Sequence, residues 1–326
     1  MAAVSVVIPN WNGAQVLCRA LASLHSQTRP PDEIIVVDNG STDDSASLAT
    51  IRFSDNRGFC RAVNRGIAEA HGDWIAILNN DVELDPAWLE HLLQAATESN
   101  ADFAGGKLLR AADRSVVDGA FDNICRGACA WRSGSARRDG PAWNRARNIW
   151  MAPLTAALFR ASVFQKVGVL DERFESYLED IDFGLRCFNA GLSGVYVPDA
   201  VAYHEGSHTL GAWHPAMVRS IARNQVLLVA KHFPDKWTLR YGWCVLVAQT
   251  LWGVLAVRRG AFFPYMRGKW EGICMYPRLR RERSAGNVAS LLHTSERDIW
   301  ELQRETGFDW YWKAYFALTG GFAGKP

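Results

Sequence analysis

Trp74-Ile75-Ala76-Ile77-Leu78-Asn79-Asn80-Asp81 decides how this chain folds: an unbroken apolar run stops abruptly at polar residues. A run so short and so rich in isoleucine suits a strand buried on both faces. The same design occurs twice upstream. Val4–Ile8 ends at Pro9-Asn10-Trp11-Asn12-Gly13, and Glu33–Val37 ends at Asp38-Asn39-Gly40-Ser41-Thr42-Asp43. Between those two runs, Val16, Leu17, Ala20, Leu21 and Leu24 recur at helical spacing until Pro30-Pro31 stops them. A second helix is predicted through Arg61–His71. Doubly covered strands separated by helices predict an α/β fold with a mostly parallel central sheet. Ligands bind such sheets at the carboxyl ends of the strands. One polar cluster there is an ordinary turn, whereas three opening on one edge predict a site.

Downstream the pattern loosens. Leu108–Ile149, rich in Gly, Ser and Arg, is expected to form an irregular lobe over that site. From Thr155 the periodicity returns, through Ala156–Phe159, Val163–Gly168, Asp171–Asn189 and a strand at Gly194–Val197. Beyond about Trp213 the chain turns helical and strongly aromatic, which predicts a first domain over 1–210 and a helical region over 211–326. A chain of 326 residues with 48% apolar composition can bury one sizeable core and a smaller second one. A formal net charge of +2 makes no global case for nucleic acid as a partner. The seven cysteines are scattered and odd in number, which suits free thiols in a reducing compartment. No basic region followed by a long apolar stretch opens the chain, so the expected location is the cytoplasm.

Six motifs in order resemble the family-2 inverting glycosyltransferases, whose fold is GT-A. They are Val6-Val7-Ile8-Pro9-Asn10-Trp11-Asn12; Ile34-Ile35-Val36-Val37-Asp38-Asn39-Gly40-Ser41-Thr42-Asp43; Asn56-Arg57-Gly58-Phe59 with Asn64; Leu78-Asn79-Asn80-Asp81; Glu179-Asp180-Ile181-Asp182; and His204-Glu205-Gly206-Ser207-His208. Each motif alone is weak, but their order and spacing over roughly residues 4–210 are specific. The details look similar to the branch that contains rhamnosyltransferases and other cell-surface polysaccharide enzymes.

The resemblance implies a set of roles. Pro9, Asn10, Asn12, Asp38, Asn56, Arg57, Gly58, Asn64 and Asn80 would frame the nucleotide of a dTDP- or UDP-sugar. Asp38 could instead simply cap its turn. Asn79-Asn80-Asp81 stands where the family has its Asp-x-Asp metal motif, so Asp81 is the firm ligand for Mg2+ or Mn2+, and Asn79 offers only a neutral oxygen. A divalent ion there would neutralise charge on the departing diphosphate. Asp180 is the expected general base, taking the acceptor hydroxyl's proton as its oxygen attacks the anomeric carbon. Glu179 and Asp182 would support it, although Asp182 and Arg186, four apart, could equally form a helix ion pair. His204 matches the family's further metal ligand, with Ser207 and His208 beside phosphate or acceptor. His-Glu-x-x-His also reads as a zinc-protease signature. That chemistry needs both histidines on one helix face, and a strand pattern precedes His204.

In the last third, Tyr241–Val257 is almost wholly apolar, and Arg258, Arg259, Arg267, Lys269, Arg278, Arg280, Arg281 and Arg283 follow, interleaved with aromatic rings. That mixture predicts docking on an anionic membrane surface, at the inner face of the plasma membrane, where a glycan or lipid-linked acceptor would be met. A buried helix pair with a solvated basic face is the plainer alternative. The first βα turn lacks Gly-x-Gly-x-x-Gly, which argues against a dehydrogenase. The competing function is a catalytically silent sugar-binding or scaffold protein at a membrane, which the Asn at position 79 favours and Asp81, Asp180 and His204 oppose.

Overall fold

A computed structural model describes residues 2–206, 213–283, 286 and 288–321. The chain divides into two compact units, Met1–Asp122 with Gly134–Gly211, and Asn123–Ser133 with Ala212–Pro326.

The first unit begins with β1 (Val4–Asn10), α1 (Ala14–His25), β2 (Glu33–Asp38), β3 (Ile51–Arg52), α2 (Phe59–Glu69) and β4 (Trp74–Leu78). Every residue of β1 and β4 is buried, as strands sandwiched between helices require. β1 runs parallel to β2 on one side and to β4 on the other, with Asn10 in register with Asp38. Helix α2 lies close on the sheet because residue 66 is glycine: a Cβ there would come within 2.2 Å of Val7.

Next come β5 (Val82–Leu84), α3 (Trp88–Glu98), β6 (Phe103–Arg110), β7 (Asp113–Gly119), the short pair β8 (Asp122–Ile124) and β9 (Ala130–Arg132), then β10 (Arg137–Arg138) and β11 (Arg147–Ile149). β12 (Ala156–Arg160), α4 (Ala161–Val167), α5 (Glu179–Asn189) and β13 (Gly194–His204) complete this part of the chain. The main sheet has eleven strands among the described residues and a main path β10-β7-β6-β12-β4-β1-β2-β3. Its amino-terminal part is parallel as expected, β12 enters antiparallel between β4 and β6, and β13 pairs parallel with β6, so the sheet is mixed. The segment expected to be irregular, Leu108–Ile149, is instead largely short strands. β7 folds back on β6 with register shifts, so no steady alternation marks it in the sequence.

The second unit carries α6 (Pro215–His232), α7 (Trp237–Arg258), α8 (Phe262–Arg281), α9 (Ala289–Thr306) and α10 (Trp310–Thr319). α6 and α8 approach through Gly268 and Gly272, where an added Cβ would lie 2.1 Å from the Arg219 carbonyl oxygen and 2.7 Å from the Val226 side chain. Sequence reasoning, which makes one cut near residue 210, has no means of assigning Asn123–Ser133 here. The assignment comes from long-range bonds: Glu296, wholly buried on α9, accepts from Arg126 Nη2 at 2.6 Å, from its Nε at 2.9 Å and from its backbone N–H at 2.7 Å.

Candidate active site

The carboxyl ends of β1, β2 and β4 are tied together by amides. Asn10 at the end of β1 is buried; its Nδ2 donates to Asp38 Oδ1 at 3.1 Å and to Ser45 Oγ at 2.9 Å. Its Oδ1 accepts from Asn80 Nδ2, just past β4, at 2.8 Å. The glycine at position 13 permits this bridge, since a Cβ there would stand 2.5 Å from Asn80 Nδ2. Asn12, in the left-handed region at φ 49°, accepts from the backbone N–H of Thr42 at 2.8 Å and so pins the turn after β2. Pro9 is a buried strand residue in register with Val37.

Asp38 is fully buried, and its Oδ2 accepts from the backbone N–H of Ser41 at 3.1 Å. The side chain expected to meet a nucleotide thus also braces the turn, holding Asn10 with one oxygen and Ser41 with the other. Asn56 and Gly58 shape the next loop: Asn39 Nδ2 donates to Asn56 Oδ1 at 3.0 Å, and Gly58 sits at φ 87°. Arg57 stacks its guanidinium 5.1 Å from the Phe53 ring centre. Asn64 is committed elsewhere: its amide both donates to the Leu170 carbonyl and accepts from the Leu170 N–H, each at 2.9 Å. That pairing makes it a brace for the Leu170 loop rather than a group turned to a ligand.

The second cluster forms where β5 pairs with the end of β13, His204 opposite Val82. His204 Nε2 lies 3.3 Å from Asp81 Oδ1, and its Nδ1 lies 2.8 Å from Asp118 Oδ2. Two residues 123 positions apart in sequence thus meet through β-sheet pairing. Burial pulls the imidazole's pKa down, but the hydrogen bonds to Asp118 and Asp81 overcome it and hold the ring protonated up to about 9. His204 closes a strand rather than lying on a helix. Ser207 and His208 lie outside the described residues.

Asp118 was not singled out from the sequence. It sits in Val116-Val117-Asp118-Gly119, where it reads as a turn residue, and nothing local says that β7 will carry it to His204.

Asp180 occupies the first turn of α5, beside Glu179 and Asp182, all three buried. Three non-glycine residues just upstream, Glu175, Tyr177 and Leu178, sit at φ 59°, 70° and 65°. Such a run of left-handed residues is held only where the surroundings impose it, and it aims the start of this helix. The backbone N–H of Cys60 on α2 donates to the Glu175 carbonyl at 3.0 Å and anchors that turn. Asp182 takes the ion pair with Arg186, Oδ2 to Nε at 3.0 Å, so it braces the helix.

Among the described residues no group of three or more His, Cys, Asp or Glu side chains is gathered as a metal centre. The donor chemistry nonetheless suits a hard cation that takes its remaining ligands from a diphosphate and water. Asp81 and His204 Nε2 are adjacent, and Asn79 Oδ1 is a buried oxygen with no hydrogen-bond partner among the described residues.

Residues 5–168 match the family described as Glycosyl transferase family 2. An N-acetylglucosaminyl-diphospho-decaprenol L-rhamnosyltransferase of Mycobacterium tuberculosis is 30% identical over 78% of this chain and 90% of its own length. A pre-mycofactocin glycosyltransferase of the same organism is 28% identical over 64% of this chain and 44% of its own. Among solved structures, GalNAc-T7 with UDP, GalNAc and Mn2+ aligns at TM-score 0.64 and 14% identity, over 92% of this chain and 58% of that one. A mannosyltransferase from Pyrobaculum calidifontis in complex with GDP-Man and Mn2+ aligns at 0.52 and 16% identity, over 97% and 86%. The two structures speak to fold alone, and the fold they share with this chain is GT-A-like.

Proposed function

Because the chain belongs to glycosyl transferase family 2, we propose that it is an inverting enzyme transferring a deoxyhexose, rhamnose foremost, from a nucleoside diphosphate to a hydroxyl of a lipid-linked glycan. The observation that carries the proposal is the contact of His204 with Asp81, which closes one end of the edge framed by Asn10, Asp38 and Asn80. The rhamnose donor and the lipid-linked acceptor rest on the named activity of the mycobacterial relative.

In this reading the donor's nucleotide lies along the turns after β1 and β2, with Asn12, Asn56 and Gly58 shaping the backbone it meets and Arg57 facing its phosphates. Asp81 and His204 Nε2 would hold Mg2+ or Mn2+, the ion displacing the Nε2 proton, with Asn79 adding a neutral oxygen. When bound, that ion supplies charge neutralisation for the leaving diphosphate. Asp118 fixes the rotation of His204, so that Nε2 rather than Nδ1 points to Asp81. Asp180 accepts the acceptor hydroxyl's proton. The freed oxygen forms its bond to the anomeric carbon from the face opposite the diphosphate, the sugar–phosphate bond breaks with its electron pair leaving on phosphate, and configuration inverts. Residues 1–210 would carry this chemistry, and 211–326 would serve acceptor or membrane at the inner face of the plasma membrane.

The test is nucleotide release from a panel of dTDP- and UDP-sugars with Mn2+ and a lipid-linked acceptor. Asp180→Asn should lower transfer by about 10²–10⁴-fold while donor affinity stays unchanged. A wild-type protein that binds donors but never releases nucleotide would instead be a silent sugar-binding protein.

A further inference from the structure

Helix α7 alone among the described residues is long and apolar enough to cross a membrane, yet only 28% of its most apolar stretch is buried. Its burial is one-sided. Tyr241, Cys244, Val247 and Ala248 face the interior, where Gln249 donates to the Gly127 carbonyl at 2.9 Å and Tyr311 donates to the Ala248 carbonyl at 3.0 Å. The opposite face shows Leu239, Trp243, Leu246, Val254 and Val257, spaced at four, three, eight and three, so all lie on one stripe. Leu239 is 86% exposed. Helix α8 repeats the arrangement with Phe263, Met266, Trp270 and Ile273, of which Phe263 is 82% and Trp270 67% exposed. The α7 stripe borders a groove: Leu246, Val254 and Val257 line it from α7, Phe262 and Tyr265 from α8, and Arg258 stands at its wall.

Charge on these helices is strongly net positive. α7 has no Asp or Glu and carries Arg240 and Arg258 near its ends. α8 has Glu271 as its acid, held by Arg219 at 2.7 Å and Arg267 at 3.0 Å, and it ends in Arg278, Arg280 and Arg281. Arg258 lies 4.9 Å from the Trp310 ring centre, so cation and ring share one level.

We propose that the exposed faces of α7 and α8 form an in-plane docking surface for an anionic bilayer, with the apolar stripes in the acyl boundary and the arginines at the phosphates. A helix whose other face is packed in protein lies along a membrane rather than through it. A second copy of the chain fits less well, because an isologous pairing would set each arginine rim against its own image. A polyanion such as nucleic acid would leave Phe263 and Trp270 in water. The inference deepens the lipid-linked acceptor of the proposed function and rests on that reading for its purpose.

The full chain should float with phosphatidylcholine vesicles containing phosphatidylglycerol, bind pure phosphatidylcholine more weakly, and be released by salt. The triple variant Phe263→Ser, Met266→Ser, Trp270→Ser should partition at least about tenfold less, with unchanged melting temperature and unchanged Mn2+-dependent nucleotide release. Wild type that does not float, a variant that floats as well as wild type, or binding indifferent to salt and lipid charge would overturn the proposal. So would a wild-type dimer that the variant dissociates without any vesicle binding. Flotation without nucleotide release would sink the catalytic reading and leave this one standing, so the two fail separately.

Discussion

Asp118 shows how much a single side chain outside any motif can decide. A histidine serving a cation with one nitrogen needs its ring held through the other, and Asp118 stands 2.8 Å from Nδ1. Asp118→Asn should therefore weaken Mn2+ binding by about 10–100-fold in the presence of a nucleoside diphosphate, read by calorimetric titration. Unaltered Mn2+ affinity would reduce Asp118 to a bystander. The meeting of Asp81 with His204 is foreshadowed by motifs whose spacing survives in the linear chain. The committed state of Asn64 and the seclusion of Asp38 are not, because both depend on partners brought in by other segments.

The elements of the second unit are held by features that hydrophobic patterning does not score. Gly268 and Gly272 let α8 lie against α6 backbone to backbone, where glycine's freedom is used for closeness rather than for a turn. Gly268→Val should destabilise by about 1–3 kcal/mol or more, since the atom it meets is a carbonyl that cannot swing aside. A denaturation midpoint equal to wild type would contradict the packing. Glu296 is the polar counterpart, buried against Arg126 and accepting from Tyr315 Oη at 2.9 Å. Glu296→Ala leaves a part-buried guanidinium without its partner and should cost about 2–4 kcal/mol by urea unfolding, whereas a loss under 1 kcal/mol, roughly what exposed pairs contribute, would place Arg126 in solvent. The sequence shows Arg126 and Glu296 as two charges 170 residues apart, and only folding makes them a pair.

At the scale of the whole molecule, stability should carry the mark of one lysine. Burial pulls Lys269 from 10.5 down to about 7, while its ammonium donates to Gln225 at 2.7 Å and also to Gln249. Between those two values the unfolded chain binds a proton that the folded chain has released. The penalty on folding is therefore complete below about pH 7 and fades as pH rises toward 10.5. The melting temperature of wild type relative to Lys269→Met should rise between about pH 7 and about pH 9. A difference that stays flat, or shrinks, would mean that Lys269 is hydrated. Differencing against the variant matters, because His204, held protonated up to about 9, shifts stability in the opposite sense over the same range.

By itself the sequence determined the α/β character of the first two hundred residues and the family. Those follow from the period of apolar residues and from motifs a few residues long, which are local properties of a chain. Tertiary structure alone decided that Asp118 backs His204, that Asn10 joins Asp38 to Asn80, and that Asn123–Ser133 belongs with the carboxyl-terminal helices. These are contacts between segments 28 to 171 residues apart, set by strand pairing and buried polar satisfaction. Local propensity carries no information about which distant partner will satisfy a buried charge or amide.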